Sequence, residues 1–380
     1  VRILSKLPNV GTTIFTVMSQ LAAEHGAINL SQGYPNFDTP KDLKDKVAYY
    51  LQNGKNQYCP MAGLITLREV LADKMQKSYG LRPDPGSEIT ITAGATQAIF
   101  TAITAFVDKG EEVILIEPAY DCYRPTIELV KGVPVPYELS APDFNIIWDE
   151  LKTLINVRTR MIIINTPQNP IGKTLKQEDL EELQRLTSGT DIIVLSDEVY
   201  EHLIFDGQLH QSVARFPELY QRSLLVYSFG KTFHSTGWKI GYCVGPEILM
   251  SEFRKVHQFN VFCVNSFEQY ALADYLKNPE PYLGLPAFYQ KKRDFLQSAL
   301  KGSRLKPIPS EGTYFQLYDY SDISDEPDTE FAKRMTTEYG VASIPVSVFY
   351  SSRKQNGVIR LCFAKTEDML EEAGNLLKVI

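Results

Sequence analysis

Lys231 stands in the stretch Ser228-Phe229-Gly230-Lys231-Thr232-Phe233-His234-Ser235-Thr236-Gly237-Trp238-Lys239, directly behind the apolar run Leu224-Leu225-Val226-Tyr227. A lysine just past a strand end, among small, hydroxyl and glycine residues, is a candidate nucleophile rather than a surface charge. Its amine can condense with an aldehyde, and the common protein-bound aldehyde is pyridoxal phosphate (PLP). Such a group needs more from a protein than an amine. It needs a cradle for phosphate, a carboxylate for the ring nitrogen, donors for the ring oxygen and a surface against which the ring can stack.

In open α/β sheets ligands bind beyond the carboxyl ends of the strands, and here those ends carry candidates for each task. Ala93-Gly94-Ala95-Thr96-Gln97 follows Ile89–Thr92 and opens a helical pattern. Gly94 and Ala95 let a phosphate approach backbone N–H groups, Thr96 lies at the same helix start, and a helix N-terminus favours negative charge. A plain helix start capped by Thr fits the same residues. The segment is not a G-x-G-x-x-G fingerprint, so no dinucleotide is implied. Asn165-Thr166-Pro167-Gln168-Asn169-Pro170-Ile171-Gly172 follows Met161–Ile164. Its prolines hold Asn169, whose amide can donate to a phenolic oxygen; a proline-rich turn without chemistry is the alternative. Ser196-Asp197-Glu198-Val199-Tyr200 follows Ile192–Leu195. A carboxylate at a buried strand end needs a cation or a donor, and a protonated pyridine nitrogen is one that makes the ring an electron sink. Tyr200 can reach the ring oxygen. A helix-capping Asp197 is the alternative. Ser228 and Lys239 suit phosphate oxygens, as hydroxyl donor and counter-charge. Tyr120, in Glu117-Pro118-Ala119-Tyr120-Asp121-Cys122-Tyr123, can stack on a planar ring. Each signal alone is weak, and their order along the chain makes them strong together.

The elements that must position these residues read as α/β. Val113–Ile116, Met161–Ile164, Ile192–Leu195 and Leu224–Tyr227 are β-branched-rich runs without alternation, as expected of strands buried on both faces of a mostly parallel sheet. Helical patterns such as 96–107 and 177–187 separate most of them. The run Ile240–Val244 follows the Lys231 segment too closely for a helical crossover and suits an antiparallel strand. Helical patterns precede the first strand at 41–53 and 64–79. A long helical region runs from 247 to about 302 with breaks near Pro279 and Pro286. Thr313–Tyr318 and Val358–Phe363, with helical patterns at 328–339 and 366–378, suggest a smaller α+β unit. We expect a large PLP-binding domain over 39–275, its sheet seven-stranded, and a small domain from 276–380 joined by the N-terminal segment 1–38. A chain of 380 residues is longer than one core usually serves.

A net charge of −7 argues against a nucleic-acid surface. No apolar run approaches a membrane span, and the first residues lack the apolar core of a signal peptide. Five scattered cysteines with no C-x-x-C pair suit reduced thiols in a cytoplasm. The five histidines show no metal-ligand spacing; His202 and His257 fall in helix-like contexts and read as structural or surface groups. No metal is expected.

Taken together, these motifs give a chain that resembles the class I, fold type I PLP-dependent aminotransferases, and within them the subgroup of methionine and kynurenine/glutamine aminotransferases. The resemblance spans the whole length and includes Leu30-Ser31-Gln32-Gly33-Tyr34-Pro35-Asn36-Phe37, Asn56-Gln57-Tyr58, Glu311-Gly312-Thr313-Tyr314-Phe315 and Ile359-Arg360-Leu361-Cys362-Phe363. It implies that Lys231 carries the cofactor and shuttles the proton, with Asp197 on the ring nitrogen. Asn169 and Tyr200 would hold the ring oxygen, and Tyr120 would stack. Ala95, Thr96, Ser228 and Lys239 would hold the phosphate. Tyr58 would reach the phosphate of a neighbouring subunit, which implies a homodimer with a shared site. Arg360 would grip the substrate carboxylate, helped by Asn169 and the Gly33 backbone, as bidentate geometry requires. Lys239 stands where many members of the wider class carry arginine. Cys263 and Thr96 stand where kynurenine-type relatives carry larger groups.

The expected reaction is exchange of an amino group between an L-amino acid and a 2-oxo acid. The pocket residues that the resemblance implies, Phe15, Tyr34, Tyr58, Tyr120 and Phe262, are aromatic and uncharged. They favour an apolar side chain, methionine above all, over a dicarboxylate. The alternative is a kynurenine/glutamine aminotransferase with cysteine-conjugate β-lyase activity. A PLP-sensing regulatory module would carry a DNA-binding segment or lack the lysine, and a nicotinamide dehydrogenase would carry the glycine fingerprint.

Overall fold

Runs rich in Ile and Val form strands where both faces of a sheet can be covered. In the computed structural model, which describes residues 1–380, the first strand is short, β1 (Ile28–Asn29). The next seven are β2 (Ile89–Thr92), β3 (Glu112–Glu117), β4 (Val133–Glu138), β5 (Thr159–Asn165), β6 (Ile193–Asp197), β7 (Ser223–Ser228) and β8 (Gly241–Val244). They form one sheet in the order β2-β8-β7-β6-β5-β3-β4. β4, β3, β5, β6 and β7 pair in parallel, while β8 runs antiparallel to both β7 and β2. The short link from Ser228 to Gly241 thus returns the chain beside β7, as its length requires.

The two faces of this sheet have separate cores. Ile114, Ile162, Val194 and Leu225 join an apolar cluster of 72 buried residues. Their neighbours Leu115, Ile163, Leu195 and Val226 join a second cluster of 19, with residues of the helices Gly94–Phe106 and Glu247–Asn260. Burial on both sides is why the runs show no alternation.

β4 is hidden in the sequence because Pro134 and Pro136 interrupt its pattern. It is an edge strand. Val133 N donates to Glu111 O at 2.8 Å and Leu139 N to Glu117 O at 2.7 Å, so residues of that parity face β3. The two prolines lie at the alternate positions and remove no ladder bond.

The remaining strands are β9 (Lys306–Pro307), β10 (Phe315–Asp319), β11 (Val341–Ala342), β12 (Ile344–Pro345) and β13 (Val358–Cys362). An antiparallel sheet takes the order β12-β13-β10-β9, and β11 pairs in parallel with β1. The helix Ile14–His25 packs on the helix Asp328–Tyr339, so the N-terminal segment is tied to C-terminal elements.

Helices occupy Lys41–Gln52, Ile65–Tyr79, Gln177–Thr187 and Glu367–Leu377, within a residue or so of the expected patterns. The long helical region differs. It is divided into Glu247–Asn260, Ser266–Tyr275, Glu280–Leu283 and Leu285–Ala299. The unexpected break falls at Phe262, whose φ of 68° no right-handed helix can pass through. The expected breaks near Pro279 and Pro286 are present, the second at Gly284, and Pro286 sits in the first turn of the last helix, where its missing N–H has no intrahelical partner to lose. His202 lies in a turn after β6 rather than in a helix, whereas His257 is buried in Glu247–Asn260. No helix is long and apolar enough to cross a membrane, and all five cysteines are free.

Candidate active site

The ends of β2, β3, β5, β6 and β7 open on one cavity. Its walls include Ala95, Thr96, Tyr120, Asn169, Asp197, Tyr200, Ser228, Lys231 and Lys239. A second pocket shares Tyr120, Asn169, Tyr200 and Lys231 with it and adds Phe15, Gly33 and Arg360. Twelve residues singled out in the sequence therefore meet in one place, from segments as distant as those of Phe15 and Arg360.

Lys231 lies in the single helical turn Phe229–Thr232 that follows β7. Its Nζ donates to the Tyr314 hydroxyl at 2.9 Å and more weakly to Gly33 O at 3.4 Å. Protein surrounds the amine, and this desolvation lowers its pKa to about 8. About a tenth of it is thus free base at pH 7, far more than for an ordinary lysine, and a nucleophilic or proton-accepting lysine requires that free base.

Asp197 is the last residue of β6 and is buried. The segment after it is a turn, so it caps no helix. Its Oδ2 accepts from the Tyr123 hydroxyl at 2.6 Å, and Oδ1 accepts from Val199 N at 3.3 Å. Burial raises its pKa to about 6, against the pull of Tyr123, Val199 and Lys231 toward the charged form. A cation facing this carboxylate would restore its charge. Asn165 joins the site from below: its Nδ2 donates to Asp197 O at 2.9 Å and its Oδ1 accepts from Asn169 N at 2.8 Å. No sequence pattern assigns a role to Tyr123, Tyr314 or Asn165. The need of a buried carboxylate for donors pointed toward a group like Tyr123, but only the fold identifies which one.

The phosphate candidates collect at the helix Gly94–Phe106. Ala93 is its N-cap, so Thr96 lies inside the first turn and is not the cap. Gly94 has φ of 75°, and a Cβ there would stand 3.5 Å from Lys239 Nζ. An ammonium near the positive end of a helix is unfavourable alone. An anion between the two satisfies both. β8 passes so close beneath that a Cβ on Gly241 would lie 2.4 Å from Tyr227 O and 3.2 Å from Ala95 N. An anion cradle, a buried lysine of lowered pKa and a buried carboxylate lacking a cation together fit PLP.

Arg360, on β13, is fully buried. Nη1 donates to Asn169 Oδ1 at 2.7 Å and Nη2 to Ser31 O at 3.0 Å. Its guanidinium carbon lies 3.8 Å from the Phe315 ring centroid. Nε is buried without a partner. Burial lowers the pKa to about 10, which leaves the group charged at neutral pH. A buried cation with unused N–H donors aimed into a pocket suits a carboxylate.

Three expected residues are not brought to these walls within one chain. Tyr58 is 84% exposed and meets the 43% exposed Phe262 edge-on, with ring centroids 5.3 Å apart. Tyr34 is 47% exposed and lies under Lys365 Nζ, which is 5.1 Å from its ring centroid.

The family profile "Aminotransferase class I and II" matches residues 25–377. The chain belongs to this aminotransferase family. It is 50% identical over 375 residues to the methionine aminotransferase of Escherichia coli (strain K12), covering 98% of this chain and 97% of that one. It is 34% identical to kynurenine–oxoglutarate transaminase 1 of Mus musculus, covering 96% and 95% of the two chains. A crystal structure from Escherichia coli, described as identifying a methionine aminotransferase function, superposes with a TM-score of 0.98 at 50% identity over the whole of both chains.

Aminotransferases of this family are PLP-dependent and exchange an amino group between an amino acid and a 2-oxo acid. When bound, PLP supplies an aldehyde that takes up the amine and a protonated ring that draws off the electrons released at the substrate's Cα. The protein's part is to bind, orient and move protons.

Proposed function

We propose that this aminotransferase acts on L-amino acids with uncharged apolar or aromatic side chains, with methionine preferred, and uses a 2-oxo acid as acceptor. The observation that carries this reading is the composition of the carboxylate pocket. Arg360 is the only arginine on its walls, and Phe15, Tyr120, Tyr200 and Phe315 supply the rest of its aromatic surface. A second carboxylate would enter this surface without a partner. The 50% identity to a methionine aminotransferase supports the same choice.

Each residue then has a task. Lys231 Nζ takes the proton from the substrate's Cα and later returns it to the acceptor carbon. Asp197, held by Tyr123, keeps the ring nitrogen protonated. Asn169 and Tyr200 hold the ring oxygen, and Tyr120 covers one face of the ring. The N–H groups of Ala95 and Thr96, with Ser228 and Lys239, hold the phosphate. Arg360, with Asn169 and Gly33, fixes the substrate carboxylate, and Phe15 faces its side chain.

Tyr58, Phe262 and Tyr34 reach a site only if a second copy of the chain completes it. Their exposure supports a homodimer in which Tyr58 serves the neighbour's phosphate. Residues 39–275 act as the PLP-binding domain, with 1–38 and 276–380 as the smaller unit. The protein works in the cytoplasm, a reading supported by five free cysteines.

The test is a panel of amino donors with one common 2-oxo acid. Methionine should exceed aspartate in kcat/KM, and the reverse ranking would overturn the pocket reading. The kynurenine transaminases among its relatives make a second activity worth assaying. Release of pyruvate and ammonia from a cysteine conjugate would mark β-lyase chemistry.

A further inference from the structure

Tyr314 has no role in the tasks above, yet its hydroxyl is the nearest hydrogen-bond partner of Lys231 Nζ, at 2.9 Å. Its side chain is fully buried. The hydroxyl also donates to Gly33 O at 2.5 Å. A phenol has one proton to give, so with that proton on Gly33 O the oxygen can only accept from Lys231. Burial also holds the phenol well above its ordinary pKa, so it does not ionise. The ring is fixed edge-on against Tyr200 at 5.2 Å and Phe315 at 4.8 Å, and Phe363 N donates to Tyr314 O at 3.0 Å.

We propose that Tyr314 is a further catalytic residue, whose Gly33-anchored hydroxyl accepts an N–H of Lys231 and aims the free amine at the substrate's Cα. The proposal rests on Lys231 as the proton carrier and adds what holds it once it is free. With one N–H committed to Tyr314, the lone pair of the neutral amine is left for the substrate. In the transfer the Cα–H bond breaks, its electron pair stays with the carbon, where bound PLP would stabilise it, and the proton forms a third N–H on Nζ. The ammonium so formed is held by the Tyr314 oxygen and Gly33 O, and it gives the proton up at the acceptor carbon. Without this acceptor the ammonium is harder to form and its direction is not fixed.

An acceptor favours the charged form of a lysine, so Tyr314 raises the pKa of Lys231 against the lowering by burial. The other titratable groups that face Nζ are Asp197, Tyr200, Lys239, Arg360 and Cys362, and a Tyr314→Phe change alters none of them.

The experiment uses Y314F beside the wild type, Y289F and K231A. Tyr289 is a neighbouring buried tyrosine, with its ring 5.9 Å from that of Tyr314 and its hydroxyl on His234 Nδ1 at 3.0 Å. Stripped protein is recombined with PLP, and the rate is followed by absorbance across pH. The free amine is the nucleophile, so the inflection reports Lys231. In Y314F it should move down by about one pH unit, the difference between a hydrogen bond to a charged and to a neutral donor. With methionine, kcat should fall roughly tenfold while KM stays within about twofold. The rate should also become more sensitive to deuterium at Cα. Y289F should show none of these changes. An unmoved inflection in Y314F, or an equal change in Y289F, would overturn the role of Tyr314. If K231A still recombined with PLP to give the wild-type absorbance, the assignment of Lys231 itself would fall and this inference with it.

Discussion

Replacing Arg360 by lysine keeps a positive charge and removes the fork. The structure gives the size of the effect. Two of the five N–H donors of Arg360 are engaged, by Asn169 Oδ1 and Ser31 O, and Nε has no partner. A substrate carboxylate can therefore take two of the unused donors at once. Charge-assisted hydrogen bonds of this kind contribute about 1.5–3 kcal/mol each. Lysine offers one point contact on a shorter, differently directed stem, and Asn169 loses the bond that orients it. The expected loss is about 2–4 kcal/mol of transition-state binding, or roughly 30- to 1000-fold in kcat/KM for methionine. The assay compares R360K with wild type on methionine and on the amine that lacks its carboxylate. The penalty should be large on the first and nearly absent on the second. PLP content should be unchanged, since Arg360 lines the pocket beyond the phosphate cradle. An R360K enzyme within threefold of wild type on methionine would refute the reasoning, as would an equal penalty on both substrates.

Two further outcomes follow from the same geometry. In PLP-stripped protein the raised pKa of Asp197, about 6 against an ordinary 3.8, means the folded state binds its proton more tightly than the unfolded chain. Its contribution is full below pH 4 and is lost as pH rises through about 6, to the extent of about 3 kcal/mol. The melting temperature of the wild type should fall relative to D197N across that window, and a constant difference would contradict the burial argument. Gly241→Ala would press a methyl onto Tyr227 O and Ala95 N. It should weaken PLP binding at least tenfold and cost about 1–3 kcal/mol of stability, and wild-type affinity in a PLP titration would show that the cradle tolerates movement.

Much of this site was legible because its chemistry is written locally. Lys231, Asp197 and Asn169 each stand beside a strand-like run, and the rule that ligands gather at strand ends joins them from sequence alone. What the sequence hides is pairing at a distance. Tyr123 lies 74 residues before Asp197 and Tyr314 lies 83 after Lys231, and no spacing rule links them. The same holds for fold. Pro134 and Pro136 conceal β4 because only its place at the sheet edge makes them harmless. The helix break at Phe262 has no glycine or proline to announce it. Tyr58 and Phe262 read as pocket residues, but a single chain leaves them on its surface, away from the cavity walls.

The attachment point of PLP can be mapped directly. Borohydride reduction of the loaded enzyme should fix the cofactor to one peptide, with the added mass on Lys231 and activity lost in proportion. Label on Lys239 or on any other lysine, or a fully active enzyme that takes up no label, would contradict the assignment of Lys231 as the reactive amine.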